Sequence, residues 1–273
     1  MLNFSQYHPD TEKRIEKLRL LVNKRPVVIL LPGGSIAELQ PRIEELRGCD
    51  ICYFGLNQFR GLEEILERIG QQFSVVMNSA DPVKFIDSVL HFVSRQEDNL
   101  LISERTSFIT EKVILSDASF GFKGFDYKDF FEQYNDKLLF FIAVPRNDQI
   151  IPNEDEPLHF MAQNSFSILL PLAVIGQASK VFVFGADGGR IGDLDLYFKG
   201  YGRGSEGALN QCAETFNETM PTIMDRVCTL YGLNQVDIYN CSVHSNLTPF
   251  PRITYDEAFA RLKGEYNGNN QTT

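Results

Sequence analysis

The sequence predicts an α/β fold: a Rossmann-like, mostly parallel sheet with helices on both faces, forming a single domain with a glycine-rich lid. Three observations predict it. Short runs of β-branched and aromatic residues alternate along the chain with segments of helical periodicity. Most of those runs are apolar throughout, the pattern of strands covered on both faces. The 273 residues are 43% hydrophobic, and no Pro/Gly/Ser-rich linker divides them. A chain of this size holds a full core without disulfides or a structural metal. The expected boundaries are 1–266 for one nucleotide-binding domain, with the lid at about 186–206 and an unstructured tail at 267–273.

The elements follow in order. An amphipathic segment at 11–23 precedes VVILL (27–31), which runs through Gly33-Gly34-Ser35 into a helical pattern at 36–47. DICYFG (50–55), FSVVM (73–77) and NLLIS (99–103) alternate with helical segments at 61–70 and 82–95. KVIL (112–115) and LLFFIAV (138–144) flank a helical pattern at 127–135. The last third reads as helix 165–178, strand KVFVFG (180–185), helix 205–231, strand VDIYNC (236–241) and helix 254–264. This β-α-β order calls for parallel pairing, with ligands outside the carboxyl ends of the strands where the strand order reverses.

Composition narrows the function. Acidic residues outnumber basic ones 36 to 26, for a net charge of −10, and Lys and Arg form no block longer than a pair. That excludes a surface tracking a nucleic-acid backbone. No stretch approaches the ~18 apolar residues of a membrane span, and the charged N-terminus is unlike a secretory signal, so the expected location is cytoplasmic. Five cysteines, an odd number, suit a reducing compartment, and Cys49-x-x-Cys52 reads as two buried cysteines rather than a redox pair.

Polar residues that could carry chemistry gather where strands end. Gly33-Gly34-Ser35 reads as a phosphate cradle or as a bare βα turn. It matches neither the dinucleotide fingerprint nor a P-loop. Asn57 follows the second strand, where an amide can read a base, ribose or phosphate or cap the next helix. Asn164 and Ser165 open an apolar helix. After KVFVFG comes Asp187, at the start of a loop in which seven of the twenty residues from Gly185 to Gly204 are glycine. Such a loop suits a lid. Asp193 and Asp195 could hold a divalent cation or lie solvated, and Lys199 and Arg203 are cations that could close on phosphate. The last strand leads to Asn240, Ser242, His244, Ser245 and Asn246, and His244 is the histidine best placed for proton transfer.

Four separated segments, LLPGGSIAEL, FGLNQF, SFSILLPLAVIGQASKVFVFGADGG and IYNCSVHSNLTPFP, resemble the family typified by archaeal hydroxymethylpterin diphosphokinase and the flagellin-modifying motility accessory factors. They are more distantly similar to the bacterial sialyltransferases that use CMP-sialic acid. The resemblance covers roughly 25–60 and 160–260. It implies that Gly33, Gly34 and Ser35 bracket a nucleotide phosphate, that Asn57 contacts the nucleotide, and that Asn164 and Ser165 lie at the donor. Asp187 would face ribose or metal, and Tyr197 would touch phosphate from the lid. Two departures stand out. Gly34 occupies a position where the family prefers Pro, and no His lies between His159 and His244, where the sialyltransferase-like relatives place a catalytic histidine. Either His244, Asp193, Asp195 or Glu206 serves as base, or the reaction differs.

Three functions follow from this reading. The first is a nucleotide-sugar-dependent glycosyltransferase, sialyltransferase-like, that acts on a surface glycan or other glycoconjugate and needs no cofactor. The second is a diphosphokinase moving diphosphate from ATP to a pterin-like alcohol, with Mg²⁺ at Asp187 or at Asp193 and Asp195. The third is a nucleotide-binding protein without catalysis. Glycosyl transfer ranks ahead of diphosphoryl transfer. The partners are a nucleotide or nucleotide sugar and a glycan or small-molecule acceptor, with the oligomeric state left open. Asp187→Asn is expected to abolish activity and leave the fold intact.

Overall fold

The computed structural model describes residues 2–56, 59–78, 86–95, 98–104, 130, 133–144, 151–161, 166–190, 192, 194–198, 206–242 and 244–269. Its strands are β1 (Val27–Leu30), β2 (Cys52–Leu56), β3 (Val75–Asn78), β4 (Leu100–Glu104), β5 (Leu138–Val144), β6 (His159–Met161), β7 (Lys180–Phe184) and β8 (Asp237–Asn240). They form one sheet in the order β6-β5-β4-β3-β2-β1-β7-β8, and every neighbouring pair is parallel. The chain therefore steps outward from β1 to one edge, then returns to lay β7 on the other side of β1. The strand order reverses between β1 and β7.

Parallel strands need crossovers, and helices α1 (Thr11–Val22), α2 (Ile36–Leu39), α3 (Arg60–Glu67), α4 (Ile86–Val93), α5 (Phe166–Ile175), α6 (Glu206–Tyr231) and α7 (Tyr255–Asn269) cover the two faces. The alternation of side chains along β1 divides the core. Val27 and Ile29 pack with α1, α5 and α6, whereas Val28 and Leu30 pack with α2, α3, α4 and α7. All ten residues of α5 are buried, because α6 covers the side that the sheet does not, with Phe166 stacked on Phe216 at 5.1 Å between centroids. A helix apolar all round can exist only in such a position. Among the described residues no helix is long and apolar enough to cross a membrane.

Several expectations change in detail. The helix expected over 36–47 is four α-helical residues followed by a 3-10 segment, Gln40–Leu46, which starts where Pro41 enters. Strand β6 was not expected at all. The strand expected at 112–115 and most of the helix at 127–135 lie outside the described residues. The closing helix continues to Asn269, into the segment expected to be unstructured. Cys49 and Cys52 are both buried, but they belong to opposite core faces, and burial pushes the Cys52 thiol up to about 11. Neither is poised as a redox thiol.

The N-terminal segment fastens β6 at the sheet edge. The Tyr7 hydroxyl accepts the Leu158 N–H at 2.9 Å and lies 3.1 Å from His159 Nδ1. The hydroxyl can donate to Nδ1 or accept from it, according to the imidazole tautomer. Burial of His159 lowers its pKa from the usual 6.5, with Glu156 opposing the shift. The folded chain thus takes up less proton than the unfolded one as the pH falls through about 6.5 toward the lowered native value, and stability drops across that window. His159→Asn keeps a hydrogen-bonding group near Nδ1 and removes the titration, so urea unfolding should show a shallower loss of stability between about pH 7.5 and pH 5.5 than the wild type. An identical pH slope would contradict this role.

Candidate functional site

The carboxyl ends of β1, β7 and β8 converge where the strand order reverses. Past β1, the Leu31 N–H bonds to the Phe184 carbonyl at 2.9 Å and the Gly33 N–H to the Gly185 carbonyl at 3.1 Å, so the loops after β1 and β7 run in direct contact. Glycine makes this approach feasible. A Cβ on Gly185, whose φ is +75°, would lie 2.1 Å from the Leu31 carbonyl oxygen. A Cβ on Gly33 would lie 2.3 Å from the Gly185 carbonyl oxygen and 2.7 Å from Asp187 Oδ2.

That close approach brings Asp187 into the mouth of the glycine turn. Its carboxylate is 4% exposed and takes three donors. Oδ2 accepts the Ser35 N–H at 2.9 Å. Oδ1 accepts the Ser35 hydroxyl and, at 2.8 Å, the Ser242 hydroxyl from the loop after β8. The backbone is tied as well. The Asp187 carbonyl accepts the Asn246 N–H at 2.8 Å, the Ser245 hydroxyl donates to the Ala186 carbonyl at 2.5 Å, and the Asn240 side chain accepts the Ser242 N–H at 3.0 Å. From α7, Tyr255 donates its hydroxyl to the Ser35 carbonyl at 2.8 Å. Burial drives the Tyr255 phenol pKa well upward, so it remains a donor.

Five of the six amides from Gly33 to Glu38 are already used. Besides Gly33 and Ser35, the N–H groups of Ile36, Ala37 and Glu38 bond to the carbonyls of Gly33, Gly34 and Ser35 at 3.1, 3.1 and 3.0 Å. The anion at this turn is the protein's own carboxylate, with two donors on Oδ1 and one on Oδ2. Gly34 is covered too, since its Cβ would lie 1.9 Å from the Asp195 carbonyl oxygen. Residues 194–198, within the segment expected as a lid, lie along the turn: Tyr197 bridges Gly33 in antiparallel fashion, and the Phe198 N–H bonds to the Pro32 carbonyl at 2.9 Å.

Beside this cluster is a cavity of about 260 Å³ lined by Ser35, Ser242, Tyr255, His244, Arg42 and Glu38, among others. His244 is exposed at its wall. Of the residues singled out from sequence, Gly33, Gly34, Ser35 and Asp187 come together, Tyr197 and Asp195 join them through their backbones, and His244 shares the cavity. Glu206 is instead paired with Arg190 at 3.3 Å, with both about half exposed. Asn57, Asn164, Ser165, Asp193, Lys199 and Arg203 lie outside the described residues. Sequence reading did not single out Tyr255 or Arg42. Their segments carry no motif, and only the fold brings α7 against the turn after β1.

No family model matches the chain, and no curated protein matches it significantly. Among solved structures, it is similar to a MAf glycosyltransferase from Magnetospirillum magneticum AMB-1, at 11% identity and a TM-score of 0.49, over 94% of this chain and 42% of that one. The chain thus spans less than half the length of that protein. It is also similar to a mammalian sialyltransferase, at 11% identity and a TM-score of 0.34, over 80% and 86% of the two chains. A fructose-bisphosphate aldolase from Campylobacter jejuni follows at 10% identity and a TM-score of 0.24, over 95% and 80%.

The geometry changes the expectation for Asp187→Asn. The new Nδ2 has to face at least one donor, so the variant should lose about 1.5–3 kcal/mol of stability rather than keep an intact fold. Ser242→Ala, which removes one donor, should cost about 1 kcal/mol. Urea unfolding of both variants measures this, and an Asp187→Asn protein as stable as wild type would contradict the assigned bonds.

Proposed function

We propose that the chain is a glycosyltransferase that binds a nucleotide sugar at the β1/β7 crevice and passes the glycosyl group to a hydroxyl of a glycan or small-molecule acceptor. One observation carries the reading: two serines, their hydroxyls bonded to a buried carboxylate, line a cavity at the point where parallel sheets bind their ligands. Because Ser35 and Ser242 spend their protons on Asp187, their hydroxyls can serve a ligand only as acceptors. Acceptors suit ribose and sugar hydroxyls or an amino group on a base. They do not suit a phosphate. Asp187 is then a positioning residue. His244, exposed at the same cavity, is the side chain we assign to take the proton from the acceptor hydroxyl, a contribution typically worth about 10²–10⁴ in rate. The resemblance of the strand-end segments points to the same class.

Thermal shift against CMP, UDP, GDP and ATP, each with and without Mg²⁺, tests the reading. A shift with a pyrimidine nucleotide that does not depend on Mg²⁺ is expected. Stabilisation by ATP only with Mg²⁺ would move the assignment to diphosphoryl transfer, and no shift with any nucleotide would overturn both. Once a donor is identified, His244→Ala should lower kcat by about 10²-fold or more with little change in donor affinity.

A further inference from the structure

The occupied glycine turn leaves a question of charge. A nucleotide sugar is an anion, yet five of the six amides from Gly33 to Glu38 are engaged and both serine hydroxyls spend their protons on Asp187. The only cation among the described residues lining the cavity is Arg42, in the 3-10 segment after α2. Its guanidinium lies over the Phe259 ring with Cζ 4.7 Å from the centroid, and its Nε donates to Glu45 at 2.9 Å. Glu45 is held in turn by Lys263 at 3.0 Å. The guanidinium is therefore held by the ring and, through Nε, by Glu45. Its Nη2 pairs with Asp256 at 2.6 Å, and the Asp256 side chain is 82% exposed and lines the same cavity. An ion pair with so exposed a partner is worth little and is readily exchanged.

We infer that Arg42 is the anion contact of this cavity, and that it takes the phosphate or carboxylate group of the ligand in exchange for Asp256. This deepens the proposed function and rests on its placement of the ligand. A guanidinium presents parallel N–H donors that match either anion. Stacking on Phe259 and bonding to Glu45 orient it in advance, so little side-chain freedom is lost on binding. Glu38, the other acid on the cavity wall, repels an anion, so the attraction has to come from Arg42 among the described lining residues. The hydroxyl-bearing part of the ligand is left facing Ser35 and Ser242.

Titration calorimetry with cytidine, CMP, pyrophosphate and glucuronate tests the assignment on the wild type, Arg42→Gln and Asp256→Asn. Arg42→Gln should weaken CMP about tenfold or more and leave neutral cytidine within about twofold, as expected for loss of one charge-assisted contact. Asp256→Asn removes the competing carboxylate and should tighten CMP about two- to fivefold, an effect that Arg42→Gln misfolding could not mimic. Loss of glucuronate but not CMP in Arg42→Gln would identify the anion as a carboxylate. Equal binding of every charged probe by wild type and both variants would overturn the inference while cytidine binding upheld the site. Pyrophosphate held through Arg42 with no nucleoside or nucleotide bound would keep the inference and overturn the proposed function. No binding by any probe would overturn both.

Discussion

The buried carboxylate of Asp187 is the interaction on which the crevice depends. It reaches from the end of β7 to the turn after β1 and the loop after β8, and three donors converge on it. Hydrogen bonds to a charged acceptor are the stronger kind, at about 1.5–3 kcal/mol each, and in a site only 4% exposed an unmet partner would cost as much again. The loops at the switch point are thus held in one arrangement by a side chain, in addition to the backbone bonds between Gly33 and Gly185. Glycine is required at 33 and 185 for the same reason, since any Cβ would separate the strand ends that the carboxylate joins.

This arrangement reverses the polarity that a glycine turn suggests. Free amides at a helix start attract phosphate. Here five of the six amides from Gly33 to Glu38 are engaged and an internal anion occupies the turn, and Arg42 is the single permanent cation among the described residues lining the cavity beside it. An acidic protein with a net charge of −10 can still take an anionic ligand, provided that one cation is oriented and its competitor, Asp256, is weakly held. The reading of function rests on this division of labour between hydroxyl-facing serines and the anion-facing arginine.

Much of the fold was legible because buried parallel strands leave continuous apolar runs. VVILL, LLFFIAV and KVFVFG needed no tertiary information to be read as strands. Strand β6 was not legible: three residues, His159–Met161, are too few to show a period, and their extended form comes from pairing with β5 and from the Tyr7 contact. Pro41 was visible, but its consequence, a 3-10 segment that carries Arg42 to the cavity, depends on packing against Phe259 of α7. For the site, the strand-end positions of Asp187, Ser35 and Ser242 could be read from the chain. Their mutual bonds could not, because they join residues 152 and 55 positions apart. Nor could Tyr255, which reaches the turn across 220 positions.

A double-mutant cycle on Ser35→Ala and Ser242→Ala, followed by urea unfolding, measures most directly whether one carboxylate unites the three loops. Each single variant leaves Asp187 with at least two donors, whereas the double variant leaves a buried charge on the Ser35 N–H alone. The account predicts that the double variant loses more stability than the sum of the single variants, by about 0.5 kcal/mol or more. Additivity within about 0.3 kcal/mol would contradict it.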